Sequence, residues 1–226
     1  GALSAGADAV LVNDSHNGML NVVIDTLPKR CRLISGHQKP LSMMEGVETE
    51  GVIAAFFTGY HARAGTPKGI LAHTYIGAVS DVRINGVSVG EYGVNAATAG
   101  DFGVPVTLVT GDDLTIAQTQ SLLGDAVVGA TVKRAIATMT ADSLRPEDAC
   151  ELIEAAAAEA VAAALEGRVT PFVIADARIN VEWNHQTLAE MDTPVERAGD
   201  TWRCLPLSPA LGVVSIRCAQ HRQPAR

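Results

Sequence analysis

Short apolar runs recur along the chain, each closed by polar or glycine-bearing positions, with longer stretches of helical spacing between them. Residues 9–12, 31–35, 52–58 and 104–110 read as strands, the first of them as a buried one, because they are short apolar runs alternating with longer helical patterns. A fifth run, 172–181, alternates in its second half. Arg178, Asn180 and Glu182 supply the polar positions, which predicts one solvated face. The clearest helix spans 146–166, where Ala149, Leu152, Ile153, Ala156, Ala157, Ala160, Val161, Ala164 and Leu165 follow the i, i+3, i+4, i+7 spacing. Pro146 suits its first position, Glu147 and Asp148 complement the dipole, and Gly167 is the stop. Ser208-Pro209 reads as the cap of a terminal helix running toward Gln220. Strands alternating with helices predict an α/β fold, a mostly parallel sheet flanked by helices.

One segment breaks that rhythm. Asn85-Gly86 stands between Val82-Arg83-Ile84 and Val87-Ser88-Val89, the signature of a two-residue type I′ turn, so an inserted β-hairpin is predicted over 82–89. Gly90 and Glu91 follow, opening a small-residue helix that runs to Gly100. The first seven residues read as the last turn of a helix closed by Gly6. No repeat or linker-like tract divides the chain, which predicts a single domain over 1–226. A first residue other than Met, at the start of what reads as the end of a helix, carries the further expectation that the sequence starts inside that domain, N-terminally truncated.

Composition narrows the function classes. Hydrophobic residues make up 47% of the chain but aromatics only 4%, so the core is built from small aliphatic side chains. A net charge of −8 argues against nucleic-acid binding through a basic surface. No apolar run is long enough to span a membrane, so no membrane partner is expected. Cys31, Cys150, Cys204 and Cys218 are dispersed, with no C-x-x-C pair. That pattern points to a reduced, cytoplasmic chain with cysteines acting as small hydrophobes.

Two of the six histidines are placed by strand ends. His16 follows the run at 9–12, and His61 follows the run at 52–58. In open α/β sheets ligands bind beyond the carboxyl ends of strands, which would bring both imidazoles to one crevice. His73 follows twelve residues after His61, and Glu91 opens a helix behind the hairpin. Imidazoles and a carboxylate from separate loops supply most of a zinc site. The spacing alone leaves a second reading open, with hydrogen-bonded structural histidines and Glu91 as a helix-start residue.

Gly86-Val87-Ser88-Val89-Gly90 matches the G-x-S-x-G pattern of serine hydrolases. The elbow of that pattern is a sharp turn exposing the serine, whereas Ser88 falls in the return strand of a hairpin. A serine hydrolase using Ser88 is therefore the alternative enzyme class, and a non-catalytic α/β binding module is the other alternative. Asp112 and Asp113 read as caps of a following helix, and Lys133-Arg134 as a solvated pair.

Read together, the strings resemble the M55 family of metallopeptidases, the D-aminopeptidases. The resemblance rests on Leu11-Val12-Asn13-Asp14-Ser15-His16, Leu33-Ile34-Ser35-Gly36, Gly59-Tyr60-His61-Ala62-Arg63-Ala64, Thr66-Pro67, His73, Val89-Gly90-Glu91, Gly93, Asn95-Ala96 and Gly111-Asp112-Asp113. These lie in family order at nearly family spacing; the one extra residue between His61 and His73 is assigned to Lys68. The resemblance implies a two-zinc site in an α/β domain, a homo-oligomer, and removal of D-amino acids from the N-termini of short peptides. Carried over, His16 would bind one zinc, His61 and Glu91 the other, and His73 would be the catalytic histidine. The resemblance also implies an Asp-x-Glu-Gly motif on a first strand, whose aspartate would bridge the metals. This sequence does not contain that motif, so the chain by itself is expected to hold metal weakly.

Overall fold

The computed structural model describes residues 1–183 and the backbone of two further short strands, Val195–Ala198 and Thr201–Cys204. Its architecture follows from where the small aliphatic runs find partners. β1 (Val10–Asn13) and β2 (Cys31–Ile34) pair in parallel. β3 (Ala55–Tyr60), β6 (Val106–Asp112), β7 (Val128–Ala137) and β8 (Thr140–Ser143) form a second sheet in the order β3-β6-β7-β8, parallel except for β8. The hairpin stands apart in a three-stranded antiparallel sheet, where β4 (Val79–Ile84) lies between β5 (Val87–Val89) and β9 (Ile179–Trp183). The two last strands, β10 (Val195–Ala198) and β11 (Thr201–Cys204), pair with each other.

β6 is the centre of the molecule, buried along its whole length, and its neighbouring side chains point to opposite faces. Leu108 packs on Ala156, Ala157 and Ala160 of α3 (Pro146–Leu165). On the other face Val109 packs with Tyr92, Ala96 and Ala99 of α1 (Glu91–Asp101) and Ile116 of α2 (Asp113–Leu123). Helices thus cover both faces, as an α/β fold requires. The alanine stripe lets α3 lie close to the sheet. Gly111 has a similar reason, since a Cβ there would come within 2.4 Å of the Tyr60 carbonyl oxygen.

The expected turns hold. Asn85 and Gly86 both take positive φ, 50° and 85°, as a type I′ turn needs. In the first residues the Ala7 N–H donates to the Ala2 carbonyl at 3.1 Å and the Gly6 N–H to Leu3 at 3.4 Å, with Gly6 at φ 102°. That pair of bonds is the Schellman closure read from the sequence.

Three sequence expectations are corrected. The strand expected over 52–58 begins at Ala55, because the Val52 N–H is taken by a turn to Thr49. The strand expected over 104–110 begins after Pro105, which has no N–H to donate. Of the run 172–181 only the end from Ile179 is a strand, and it pairs antiparallel with β4. Its first half instead lies against α1, close enough that a Cβ on Gly100 would meet the Phe172 oxygen at 2.1 Å. β7 and β8 were not expected from the sequence at all. Lys133 and Arg134 fall within β7, where Arg134 pairs with Asp142 across the exposed face at 3.2 Å. The terminal helix expected from Ser208-Pro209 lies outside the described residues. Cys31 and Cys150 are free thiols. No helix among the described residues is long and apolar enough to cross a membrane.

Candidate metal centre

β3 delivers His61 as the residue after its last position, at the carboxyl end of a parallel strand. Gly90 then turns the end of β5 into α1, so Glu91 is the first residue of that helix. The loop between β3 and β4 carries His73 back over both. The His61 and His73 rings stack with centroids 3.9 Å apart. Their Nε2 atoms lie 3.4 and 3.8 Å from the same oxygen, Oε1 of Glu91. His61, His73 and Glu91 are the one cluster of three or more potential metal ligands among the described residues, each offering a donor atom within 4.8 Å of the others.

The other ring nitrogens decide what that cluster is. His61 Nδ1 lies 3.1 Å from the Ala62 carbonyl oxygen and His73 Nδ1 lies 2.6 Å from that of Leu71. A carbonyl only accepts, so both imidazoles carry a proton on Nδ1. In the neutral rings each Nε2 is then a lone pair, and both lone pairs face a carboxylate oxygen. Three acceptors converging on one point require a cation between them, either a proton or a metal ion. The charges respond accordingly. Burial disfavours the His61 imidazolium, but the hydrogen bond to Glu91 and its charge outweigh that and hold His61 above the usual histidine range. Burial likewise opposes Glu91 ionisation, and His61 with the Tyr75 N–H holds the carboxyl below its usual range.

His16 is not brought into this cluster. It sits exposed on the loop after β1, its carbonyl accepting from Met19 N–H at 2.8 Å and Asn21 Nδ2 at 2.7 Å. That loop is pinned by buried Asp14, whose carboxylate accepts from the Val22 N–H at 2.7 Å and from Asn21 Nδ2 at 2.9 Å. Lys39 secures it from the other side, donating to the Asp14 carbonyl at 2.7 Å and to the Asn13 side chain.

Other residues singled out by sequence have structural partners. Ser88 is in β5, paired with Arg83, and its hydroxyl donates to Asp81 at 2.8 Å. Asp112 caps α2, accepting from the Thr115 N–H at 2.7 Å, and Asp113 accepts from the Ala135 N–H at 2.7 Å. His37 is exposed; His185 and His221 lie outside the described residues.

Sequence reasoning missed two supports of the cluster. Asn95, one turn beyond Glu91 on α1, donates to the Tyr60 hydroxyl at 2.8 Å and ties the helix to the end of β3. The Tyr75 N–H donates to Glu91 Oε1 at 2.8 Å. The first pair stands inside the motif strings and spacing could have suggested it; the second is a backbone contact with no side-chain signature.

The sequence profile of peptidase family M55, described as D-aminopeptidase, matches residues 1–201. The chain belongs to the M55 family. This M55 chain is 41% identical over 152 residues to a D-aminopeptidase of Bacillus subtilis (strain 168), covering 67% of the chain and 54% of that protein. It thus spans about half the length of the curated relative it matches. Among solved structures it is similar to the Zn-dependent D-aminopeptidase DppA from Bacillus subtilis, described as a self-compartmentalizing protease. That match has a TM-score of 0.75 at 36% identity and covers 86% of this chain and 72% of the other.

Proposed function

We propose that this M55 chain carries the metal-binding core of a zinc-dependent aminopeptidase that releases N-terminal D-amino acids from short peptides. The observation that carries the reading is the convergence of His61 Nε2, His73 Nε2 and Glu91 Oε1, three acceptors in need of a cation. Imidazole nitrogen and carboxylate oxygen are the donor types zinc takes. His61 and Glu91, the two more buried members, hold the metal; His16 is assigned to a second zinc. Bound zinc supplies a water acidic enough to be deprotonated near neutral pH and polarises the scissile carbonyl.

The chain's own groups supply the rest. His73 is the most exposed of the three, and Leu71 holds its Nδ1 proton. Its Nε2 is therefore the group free to take a proton from the attacking water and hand it to the departing amine as the C–N bond breaks. A second reading makes His73 a third ligand, favoured by its closeness to the same Glu91 oxygen. The two readings separate on His73→Ala, which loses turnover but keeps zinc if His73 moves protons, and loses both if it is a ligand.

The Asp-x-Glu-Gly strand implied by the family resemblance is absent from this sequence. What favours a place for such a strand is that β1 and β3 each keep an edge without a strand partner among the described residues. The deciding experiment measures zinc by elemental analysis, and D-alanyl peptide hydrolysis with and without chelator, on this chain and on one extended upstream of Gly1. We expect weak zinc binding and low activity from the chain alone, and chelator-sensitive activity from the extended protein. An extended protein without chelator-sensitive hydrolysis overturns the function. A homo-oligomer is part of the same proposal, checked by light scattering.

A further inference from the structure

Between His73 and β4 the chain makes a tight turn centred on Tyr75. The Ile76 N–H donates to the Thr74 carbonyl at 2.8 Å, closing three residues, and Tyr75 at the middle takes φ 61°. A positive φ at the centre of so short a turn is the strained form, and a tyrosine gains nothing from it. Such a conformation survives only where its surroundings over-determine it.

The surroundings are visible. Thr74 is fully buried and its hydroxyl accepts from the Ala64 N–H at 3.1 Å, which fastens the turn to the segment that follows His61. With Thr74 fixed and Ile76 bonded back, the Tyr75 N–H points at Glu91 Oε1, 2.8 Å away. That oxygen is the one both imidazoles approach. A backbone N–H to a carboxylate is a charge-assisted bond, strong and directional. It fixes which Glu91 oxygen faces the histidines, a task the flexible glutamate side chain cannot perform unaided.

We propose that the Tyr75 amide is a positioning group of the metal centre, and that the strained turn exists to aim it. The inference rests on the zinc reading above and deepens it. Partners that orient metal ligands in this way typically govern affinity by about 10- to 100-fold.

The test replaces Tyr75 by its α-hydroxy acid analogue, which turns the amide into an ester and removes only the N–H. Zinc affinity is measured by competition with a chromophoric chelator, and the cobalt(II) absorption band reports ligand geometry. Circular dichroism of the metal-free protein checks the fold. We expect the ester to bind zinc about 10- to 100-fold more weakly with a shifted cobalt band, and Tyr75→Gly, which keeps the N–H and suits the positive φ, to restore the affinity. Equal affinity of ester and parent overturns the Tyr75 inference while leaving the zinc reading intact. A parent, and an upstream-extended parent, that bind neither metal overturn the zinc reading instead. Amide exchange of the metal-free parent is the independent measurement. The Tyr75 N–H should be protected and should exchange faster in Glu91→Ala; exchange at the rate of an open loop overturns the inference without any metal.

Discussion

His61 and Glu91 carry opposite pH signatures in the metal-free chain. His61 is held above its ordinary value of 6.5, since the Glu91 interaction outweighs burial, so its contribution is complete below that value and fades as pH rises through the raised pKa. Glu91 is held below its ordinary 4.5, so its contribution is present above that value and is lost as pH falls through the lowered pKa. The pair therefore stabilises the chelated protein most between pH 4.5 and 6.5. Urea midpoints of the parent and His61→Ala measured against pH should differ most in that interval; a difference that stays flat with pH removes the ion pair from the account. Ser88 makes a contrasting prediction. Its hydroxyl serves Asp81, so Ser88→Ala should cost about 1 kcal/mol in stability and leave peptide hydrolysis by the extended protein unchanged, and Ser88 should not react with a fluorophosphonate. Labelling at Ser88 would revive the serine-hydrolase alternative. Of the four residues named from ordered strings, His61, His73 and Glu91 lie together in the structure, whereas His16 stands apart on the loop after β1. What the sequence could not show is the Nδ1 anchoring by Ala62 and Leu71, or the aim of the Tyr75 amide. Those contacts belong to backbone groups that every residue carries.

Among the elements, the ones legible in sequence are those whose local signals agree with their packing. α3 has Pro at its start, acidic residues in its first turn and a continuous alanine face, and it spans Pro146–Leu165, one residue short of the range read from the sequence. The hairpin is set by Asn85-Gly86 alone, since few other pairs accept both positive φ values. β7 was illegible for the opposite reason. Its solvent-facing end mixes Lys133, Arg134 and Ile136 without clean alternation, and its pairing with β6 and β8 compensates for a weak local signal. α2 starts where Asp112 ends β6, a junction that rests on one side chain accepting from both the backbone and the hydroxyl of Thr115. Asp112→Ala should cost about 1–2 kcal/mol, read as a lower thermal midpoint with the secondary structure retained. A change within error would mean that burial of β6, not its cap, holds the junction.

For the whole molecule, the α/β class was readable from the alternation of runs, but the division into separate sheets was not. Which strands pair across long stretches of chain is decided by packing, as β9 shows by leaving the parallel order to join the hairpin. The proposed site adds a stabilising ligand to this framework. Zinc at about a hundred times its dissociation constant contributes about 2.7 kcal/mol, which for a chain of this size raises the melting midpoint by about 5–11 °C. Calorimetry with zinc and with chelator checks this, and identical midpoints would show that the folded chain does not prefer the metal. The placement of the donors has a kinetic consequence. The two proposed ligands, His61 and Glu91, both come from the stretch between positions 61 and 91, so an ion that grips them closes a single loop of local sequence. Short closures are entropically cheap and fast. Zinc present from the start of refolding should therefore accelerate folding as well as slow unfolding, making this stretch a nucleus when metal is available. Stopped-flow refolding with and without zinc reads the difference directly; a rate indifferent to zinc would place metal capture after the folding barrier.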